Sequence, residues 1–356
     1  MKLLFLAKRR PQQRDLLTRP FGRFYYLPRH LAEKGHDVTV ILLSYKNDGT
    51  KTEYKDNITW ISISIFPGLF FGYYAFVKNH ARQYQPDWII GFSDTWYGII
   101  AQRIARHLHT KSLIDAYDNY ESYMPWCKPL HWLWRNSLKR ADMVTAAGPQ
   151  LLDLLNRARE SSTASHVIPM SADPLFQPDD KNQARKQLAL PVDSKLLGYC
   201  GSISETRGIA DLFKAFSLVR QTLPDIRLVL SGRLDKGVLL PEGVIYMGYL
   251  KDASVPVLIN AMDCMVTLVK PGAFGDFSYP IKLYETIACK KPVVATDISP
   301  CRWILQNHEE FLANSPTELA DKVMQILEKD MQMDIHYQGW QESADKFEQI
   351  MATEKS

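Results

Sequence analysis

The sequence predicts an α/β protein made of two doubly wound, Rossmann-like halves, and three observations carry that reading. Short apolar runs without polar alternation recur along the chain, as in parallel-sheet strands covered on both faces. Helical stretches separate several of them, the order expected of strand–helix–strand units. That order breaks at residues 171–180, a linker with prolines and acids clustered around Phe176, and then starts afresh. A chain of 356 residues that is 46% hydrophobic has enough apolar material for two cores.

In the first half, strands are expected at residues 2–7, 38–43, 58–63, 88–91, 113–115, 143–146 and 167–169. Helices are expected at 23–34, where Gly35 supplies a stop, and at 94–108. In the second half, strands fall at 196–200, 227–230, 244–247, 265–269 and 292–295, with helices at 209–223, 253–262, 280–289 and 316–328. Domains are accordingly expected at 1–172 and 173–334. The run 3–7 is too short for a signal-peptide core, and no stretch approaches the length of a membrane span. Five cysteines in an odd set, without Cys-x-x-Cys spacing, point away from a disulfide framework and towards a reducing, cytoplasmic setting.

Several function classes are excluded at this level. A formal charge of +4 is too small to argue for nucleic acid, although Lys8, Arg9, Arg10, Arg14, Arg19, Arg23 and Arg29 crowd a segment whose only acid is Asp15. No Gly-x-Gly-x-x-Gly follows the first strand and no P-loop is present, which disfavours dinucleotide oxidoreductases and P-loop nucleotidases. The histidines, His30 among them, lack metal-ligand spacing, so no metal and no cofactor is implied.

The most informative stretch is 274–296, a loop that turns into a helix at Pro280 and leads into a strand. Proline suits a first helical position. The N–H groups of Ile281, Lys282 and Leu283 then head the helix, and such an end favours phosphate. Glu285 lies one turn further in, placed to accept hydrogen bonds from ribose hydroxyls. Diphosphate and ribose side by side describe a nucleotide diphosphate, although an ordinary strand–helix unit would share much of this pattern.

Ser-x-Pro-x-Lys-x-x-Glu followed by Lys-Pro-Val-Val-Ala-Thr (residues 278–296) resembles the donor-site motif of family-4 glycosyltransferases. The resemblance implies a GT-B fold, two Rossmann-like domains facing each other across a cleft. It also implies metal-independent transfer, with retention, from a UDP- or GDP-sugar to a glycan or lipid-linked acceptor in polysaccharide or glycolipid synthesis. Glu285 would hold the ribose, and Ile281 and Lys282 the diphosphate. A last helix at 335–351 would cross back onto the first domain. Two departures stand out. Phe277 occupies the place of the family's first carboxylate, with Asp276 one residue away, and Lys290 replaces the glycine that ends the helix. A non-glycine residue in that left-handed position costs about 1 kcal/mol, so a different turn is expected.

The remaining site residues are also carried by resemblance. In residues 201–208, Gly201 and Ser202 stand where the family has Gly-Arg, and Arg207 stands for its phosphate-binding lysine. An arginine is a competent phosphate clamp, though a solvated loop arginine would look the same. Lys270 and Lys282 are possible replacements for the missing cation. Gly22 takes the place of paired glycines near the donor phosphates, and Tyr249 and Leu250 belong to the turn that contacts the base through its backbone. Asp115, Asp118 and Glu121 match an Asp-x-x-Asp-x-x-x-Glu arrangement of some bacterial polysaccharide enzymes and would meet the sugar or acceptor. Asp118 is the candidate general base, and plain helix capping by this loop is the alternative. Ser93 or Asp94 most simply caps the helix at 94–108, with a sugar contact as the alternative.

Residues 65–77, and Trp126, Trp132 and Trp134 beside Lys128, Arg135, Lys139 and Arg140, mix aromatic with basic character. That combination suits either a helix core or peripheral contact with an anionic membrane. Two rivals to the transferase remain: a nucleotide-sugar 2-epimerase of the same fold, and a degenerate GT-B protein that binds nucleotide or a partner transferase without catalysis.

Overall fold

The computed structural model, which describes residues 1–92, 94–160 and 164–353, divides into two compact units: Met1–Met170 with Gln338–Ser356, and Ser171–Tyr337. The first unit is built on β1 (Lys2–Lys8), β2 (Asp37–Ser44), β3 (Lys51–Lys55), β4 (Ile58–Ser64), β5 (Trp88–Gly91), β6 (Lys111–Ala116), β7 (Met143–Ala146) and β8 (Ala164–Val167). They form one sheet in the order β3-β4-β2-β1-β5-β6-β7-β8, parallel except at the β3–β4 pair. The strand β3 was not expected. All five of its residues are exposed, so it carries no apolar face for a pattern to reveal. The last strand sits three residues earlier than the run 167–169 suggested.

Helices α1 (Arg23–Glu33), α2 (Leu69–Tyr84), α3 (Thr95–Leu108), α4 (Lys128–Arg140) and α5 (Pro149–Asn156) complete the first unit's main helical layers. Strand β1 shows why both faces need cover. Leu3 and Phe5 pack with α1, and Leu4 and Leu6 pack towards α2 and α3, all four fully buried. The order in which strands are added reverses between β1 and β5, the kind of switch point where open α/β sheets place ligands at strand carboxyl ends.

The second unit carries β9 (Leu196–Cys200), β10 (Arg227–Ser231), β11 (Val244–Tyr246), β12 (Cys264–Thr267), β13 (Val293–Thr296) and β14 (Leu312–Ala313). They form a parallel sheet in the order β11-β10-β9-β12-β13-β14. Around it lie α6 (Lys181–Gln187), α7 (Ile209–Thr222), α8 (Ser254–Ala261), α9 (Ile281–Ala288), α10 (Ser299–Ile304) and α11 (Pro316–Lys329), with α7 packed along α11.

The final helix, α12 (Trp340–Thr353), belongs to the first unit and packs on α1. Trp340 stacks on Tyr26 at 6.0 Å, and His36 Nε2 meets Glu348 at 2.7 Å. The helix begins five residues later than the expected 335.

Candidate functional site

The carboxyl edge of the second sheet is stitched together by backbone. Gly201 N–H donates to the Ser231 carbonyl at 2.9 Å, and Gly232 N–H to the Gly248 carbonyl at 2.9 Å. A side chain at Gly232 would place its Cβ 1.8 Å from the Gly201 carbonyl oxygen, so only glycine fits this crossing (φ 143°). Ser202 turns its carbonyl to the Tyr199 hydroxyl at 3.0 Å. Beyond Gly248, Tyr249 is 68% exposed and Leu250 half-buried, which leaves this turn open to a ligand.

Arg207 ends a short 3-10 turn, Glu205–Arg207, just before α7. It is exposed, and no described acidic side chain pairs with it. It lines a cavity of about 280 Å³ together with Thr206, Lys270, Phe274 and the intervening loop. A second cavity of about 320 Å³ shares Arg207 and Lys270 and extends to Asn314 and Ser315 at the head of α11. Lys270 is likewise exposed and unmatched by any described carboxylate. Two unneutralised cations on one cavity wall are the electrostatic requirement for an anionic ligand.

On α9, Pro280 is the N-cap (φ −67°, ψ 117°), so the helix starts one residue later than expected, at Ile281. Leu283 N–H is also not part of the open end, since it donates to the Pro280 carbonyl at 3.0 Å. Ile281 and Lys282 therefore head the helix. Glu285 is 6% exposed and accepts from Lys282 Nζ at 2.6 Å. Burial pushes the Cys200 thiol at the end of β9 up to about 12, with Lys282 and Glu285 acting on it in opposite directions. The α9 pair therefore lies close to the carboxyl end of β9. Lys290 takes the left-handed conformation itself (φ 52°), with Lys290 N–H on the Ile287 carbonyl and Lys291 N–H on that of Thr286. The expected alternative turn is not used. Asp276 lies in the turn Gly275–Phe277, where its carboxylate accepts from Gly272 N–H at 3.2 Å.

In the first unit, Gly22 heads α1 with φ 60° and ψ −162°, a conformation reserved for glycine, and a Cβ there would meet nothing within 4 Å. The next residue corrects the expectation for Asp115. Arg23 donates from Nε and Nη2 to both Asp115 oxygens at 2.9 and 2.7 Å, and the Thr145 hydroxyl donates to Oδ1 at 2.6 Å. Both charged side chains are 0% exposed. An enclosed, fully bonded carboxylate ties α1 to β6 and β7 and has no face left for a sugar. Asp118 is 9% exposed and accepts from the Tyr123 hydroxyl at 2.6 Å. Glu121 is held bidentately by Arg135 at 2.8 and 2.6 Å. The basic crowd near the N-terminus is mostly consumed internally: Arg9 and Arg10 by Asp15 and Asp48, Arg23 by Asp115, Arg29 by Glu33.

Asp94 is the residue whose chemistry the sequence under-reported. It occupies the N-cap position of α3, yet its carboxylate makes no capping bond; Ser93 lies outside the described residues. Burial pushes Asp94 up to about 6, opposed only by Lys8. A carboxyl raised this far at a strand carboxyl end is a mark of functional sites. The sequence signal was present, an acid closing a buried strand, but capping explained it equally well. Among the described residues, no group of three or more His, Cys, Asp or Glu side chains forms a metal site.

Two doubly wound parallel units with this strand order, an anion-ready edge on the second and a closing helix returned to the first, define a GT-B protein. Residues 23–170 match the glycosyl transferase 4-like domain, and residues 180–347 match glycosyl transferases group 1. The chain belongs to this family of glycosyltransferases. It is 27% identical over 163 residues to phosphatidyl-myo-inositol mannosyltransferase of Mycobacterium leprae (strain TN), covering 43% of this chain and 42% of that protein. It is 25% identical over 182 residues to the putative teichuronic acid biosynthesis glycosyltransferase TuaC of Bacillus subtilis (strain 168), covering 50% and 44%. The chain thus spans under half the length of these curated relatives. Among solved structures, Anabaena Alr3699/HepE, crystallised in complex with UDP, superposes with a TM-score of 0.73 at 17% identity over 99% of this chain and 97% of that one, a likeness of fold.

Proposed function

We propose that this protein transfers a sugar from a UDP- or GDP-sugar to a glycan or lipid-linked acceptor, with retention and without a metal, in the synthesis of a cell-envelope polysaccharide or glycolipid. The observation that carries the reading is the pairing of the buried Glu285 with two unneutralised cations, Arg207 and Lys270, on one sheet edge. In this scheme Glu285 accepts hydrogen bonds from the ribose hydroxyls. Lys282 Nζ donates to the carboxylate at 2.6 Å and so orients it. Arg207, Lys270 and the N–H groups of Ile281 and Lys282 take the diphosphate and stabilise it as leaving group, a mainly electrostatic task. Gly201 and Ser202 line the approach, and Tyr249 and Leu250 flank the base. HepE, which shares the fold, is described in complex with UDP and with UDP-glucose, and the curated relatives are named as a mannosyltransferase and a putative teichuronic acid biosynthesis glycosyltransferase.

On the first unit, Gly22 offers its backbone to the donor phosphates, while Asp118, Glu121 and Asp94 form the acidic side of the acceptor region and Asp115 positions α1. The protein works in the cytoplasm in peripheral contact with a membrane, where a lipid-linked acceptor is presented. Phe277 favours one second reading, a nucleotide binder without catalysis, because the neighbouring Asp276 is engaged with Gly272 N–H and not turned into an acid's place. Slow release of nucleotide from a donor in water separates the two: a transferase hydrolyses its donor and a binder does not.

A further inference from the structure

The amino edge of the second sheet, opposite the edge that carries the donor residues, gathers cations. Strands β9, β12 and β13 lie side by side and run parallel, so Lys195, Asp263 and Lys291, each within two residues of a strand start, come together there. Asp263 N–H donates to the Leu196 carbonyl at 2.9 Å, and Leu196 N–H donates to the Asp263 carboxylate at 2.7 Å. Helix α6 adds Lys181 and Arg185, one turn apart, and both are spent on Asp263: Lys181 Nζ donates at 2.9 Å and Arg185 Nη2 at 2.6 Å. Arg185 also donates to the carbonyls of Ala261, Val192 and Ser194. Both oxygens of Asp263 are thereby engaged.

Lys291 is the residue left over. It is half-buried, pairs with no described carboxylate, and shares a cavity of about 40 Å³ with Lys181, Lys195, Asp263 and Asp330. Burial holds its amine below the ordinary lysine range, Lys181 and Arg185 push the same way, and Asp263 and Cys289 oppose them in part. Such an amine is a nucleophile. Three lysines and Arg185 face two carboxylates, so the surroundings favour a product that carries negative charge. The cavity exceeds the roughly 10–15 Å³ that one water needs, and it is far too small for a sugar or a nucleotide. A small uncharged electrophile that becomes an anion on bonding meets both conditions.

We propose that Lys291 is a carbamate site, at which its amine reversibly takes up carbon dioxide. The nitrogen lone pair attacks the carbon, the N–C bond forms, one C=O pair moves onto oxygen, and the nitrogen releases a proton to solvent. An ammonium that Lys181 and Arg185 repel is replaced by a carboxylate that Lys181 and Lys195 attract, so the modification stabilises the second unit. Its reach is local: Lys291 N–H holds the Thr286 carbonyl at the far end of α9 from Ile281.

The test traps the carbamate on the full chain with a trialkyloxonium ethylating reagent in isotopically labelled bicarbonate, at mildly alkaline pH, and locates the label by peptide mass spectrometry. Label is expected on Lys291 and not on the exposed Lys195 or Lys290. The melting temperature should rise by about 2–4 °C in bicarbonate over chloride at equal pH and ionic strength. Lys291→Arg and Lys291→Gln should both lose the label and the rise, and the trapping on the unaltered protein reads the site even where a variant folds poorly. Absence of label from Lys291, or label spread evenly over the lysines, overturns the proposal. So does a rise that persists in either variant. An equal rise in sulfate with no trapped label overturns it in favour of a plain oxyanion site. Nucleotide release is read in a separate assay, so the donor-site reading stands or falls on its own.

Discussion

Replacing Asp94 by Asn should stabilise the protein while harming its acceptor step. The carboxyl titrates near 6 in the fold against an ordinary 3.8, because burial penalises its charged form. A raised carboxyl means that the native state holds its proton more tightly than the unfolded chain. The penalty is therefore absent below about pH 4, grows as pH rises towards 6, and is complete above it. A shift of this size corresponds to at most about 3 kcal/mol at neutral pH. The Asn variant escapes it, so its unfolding midpoint should exceed the parent's at about pH 7.5 and converge with it near pH 4. Denaturant unfolding of both proteins across that range reads the difference directly, and subtracting one from the other cancels every other titrating group. A gain independent of pH would refute the reasoning, as would a variant less stable than the parent at neutral pH. Transfer to acceptor should fall in the same variant while nucleotide release in water, for which Asp94 has no proposed role, persists.

Asp115→Ala should cost about 3–5 kcal/mol, because it strands the Arg23 guanidinium in a fully buried site; thermal melting of the first unit reads this, and a stable but inactive variant would return Asp115 to direct sugar contact. Arg207→Ala should raise the barrier to nucleotide release by about 3 kcal/mol, roughly a hundredfold in rate. Lys270→Ala in that background should deepen the loss, since both cations line one cavity, and wild-type release from the double variant would remove both from the donor site.

The buried strands were readable because their apolar character has a local cause. Leu3, Leu4, Phe5 and Leu6 need cover on both faces, and so short a run suits a doubly covered strand. The strand β3 was not readable, since Lys51, Glu53 and Lys55 look like any solvated loop. The motif at 274–296 placed Glu285 and the start of α9 to within one residue, because proline and the helical spacing act over a few positions. Asp115 failed for the opposite reason: its partner Arg23 lies 92 residues away, and a pairing at that distance leaves no mark in either segment. Lys290 shows a local rule outvoted. Two backbone hydrogen bonds hold it left-handed despite the strain that its side chain adds. Asp94 combined both difficulties, since capping explained its position and only the packed fold shows that no capping bond forms.

The most direct test of the donor site is nucleotide release from a panel of UDP-, GDP- and ADP-sugars in the presence of EDTA, with Glu285→Ala alongside. The geometry of α9 predicts release from a UDP- or GDP-sugar, unaffected by the chelator and lost in the variant. A panel in which no donor releases nucleotide and none raises the melting temperature would contradict the assignment of Glu285, Arg207 and Lys270 to a nucleotide-sugar site.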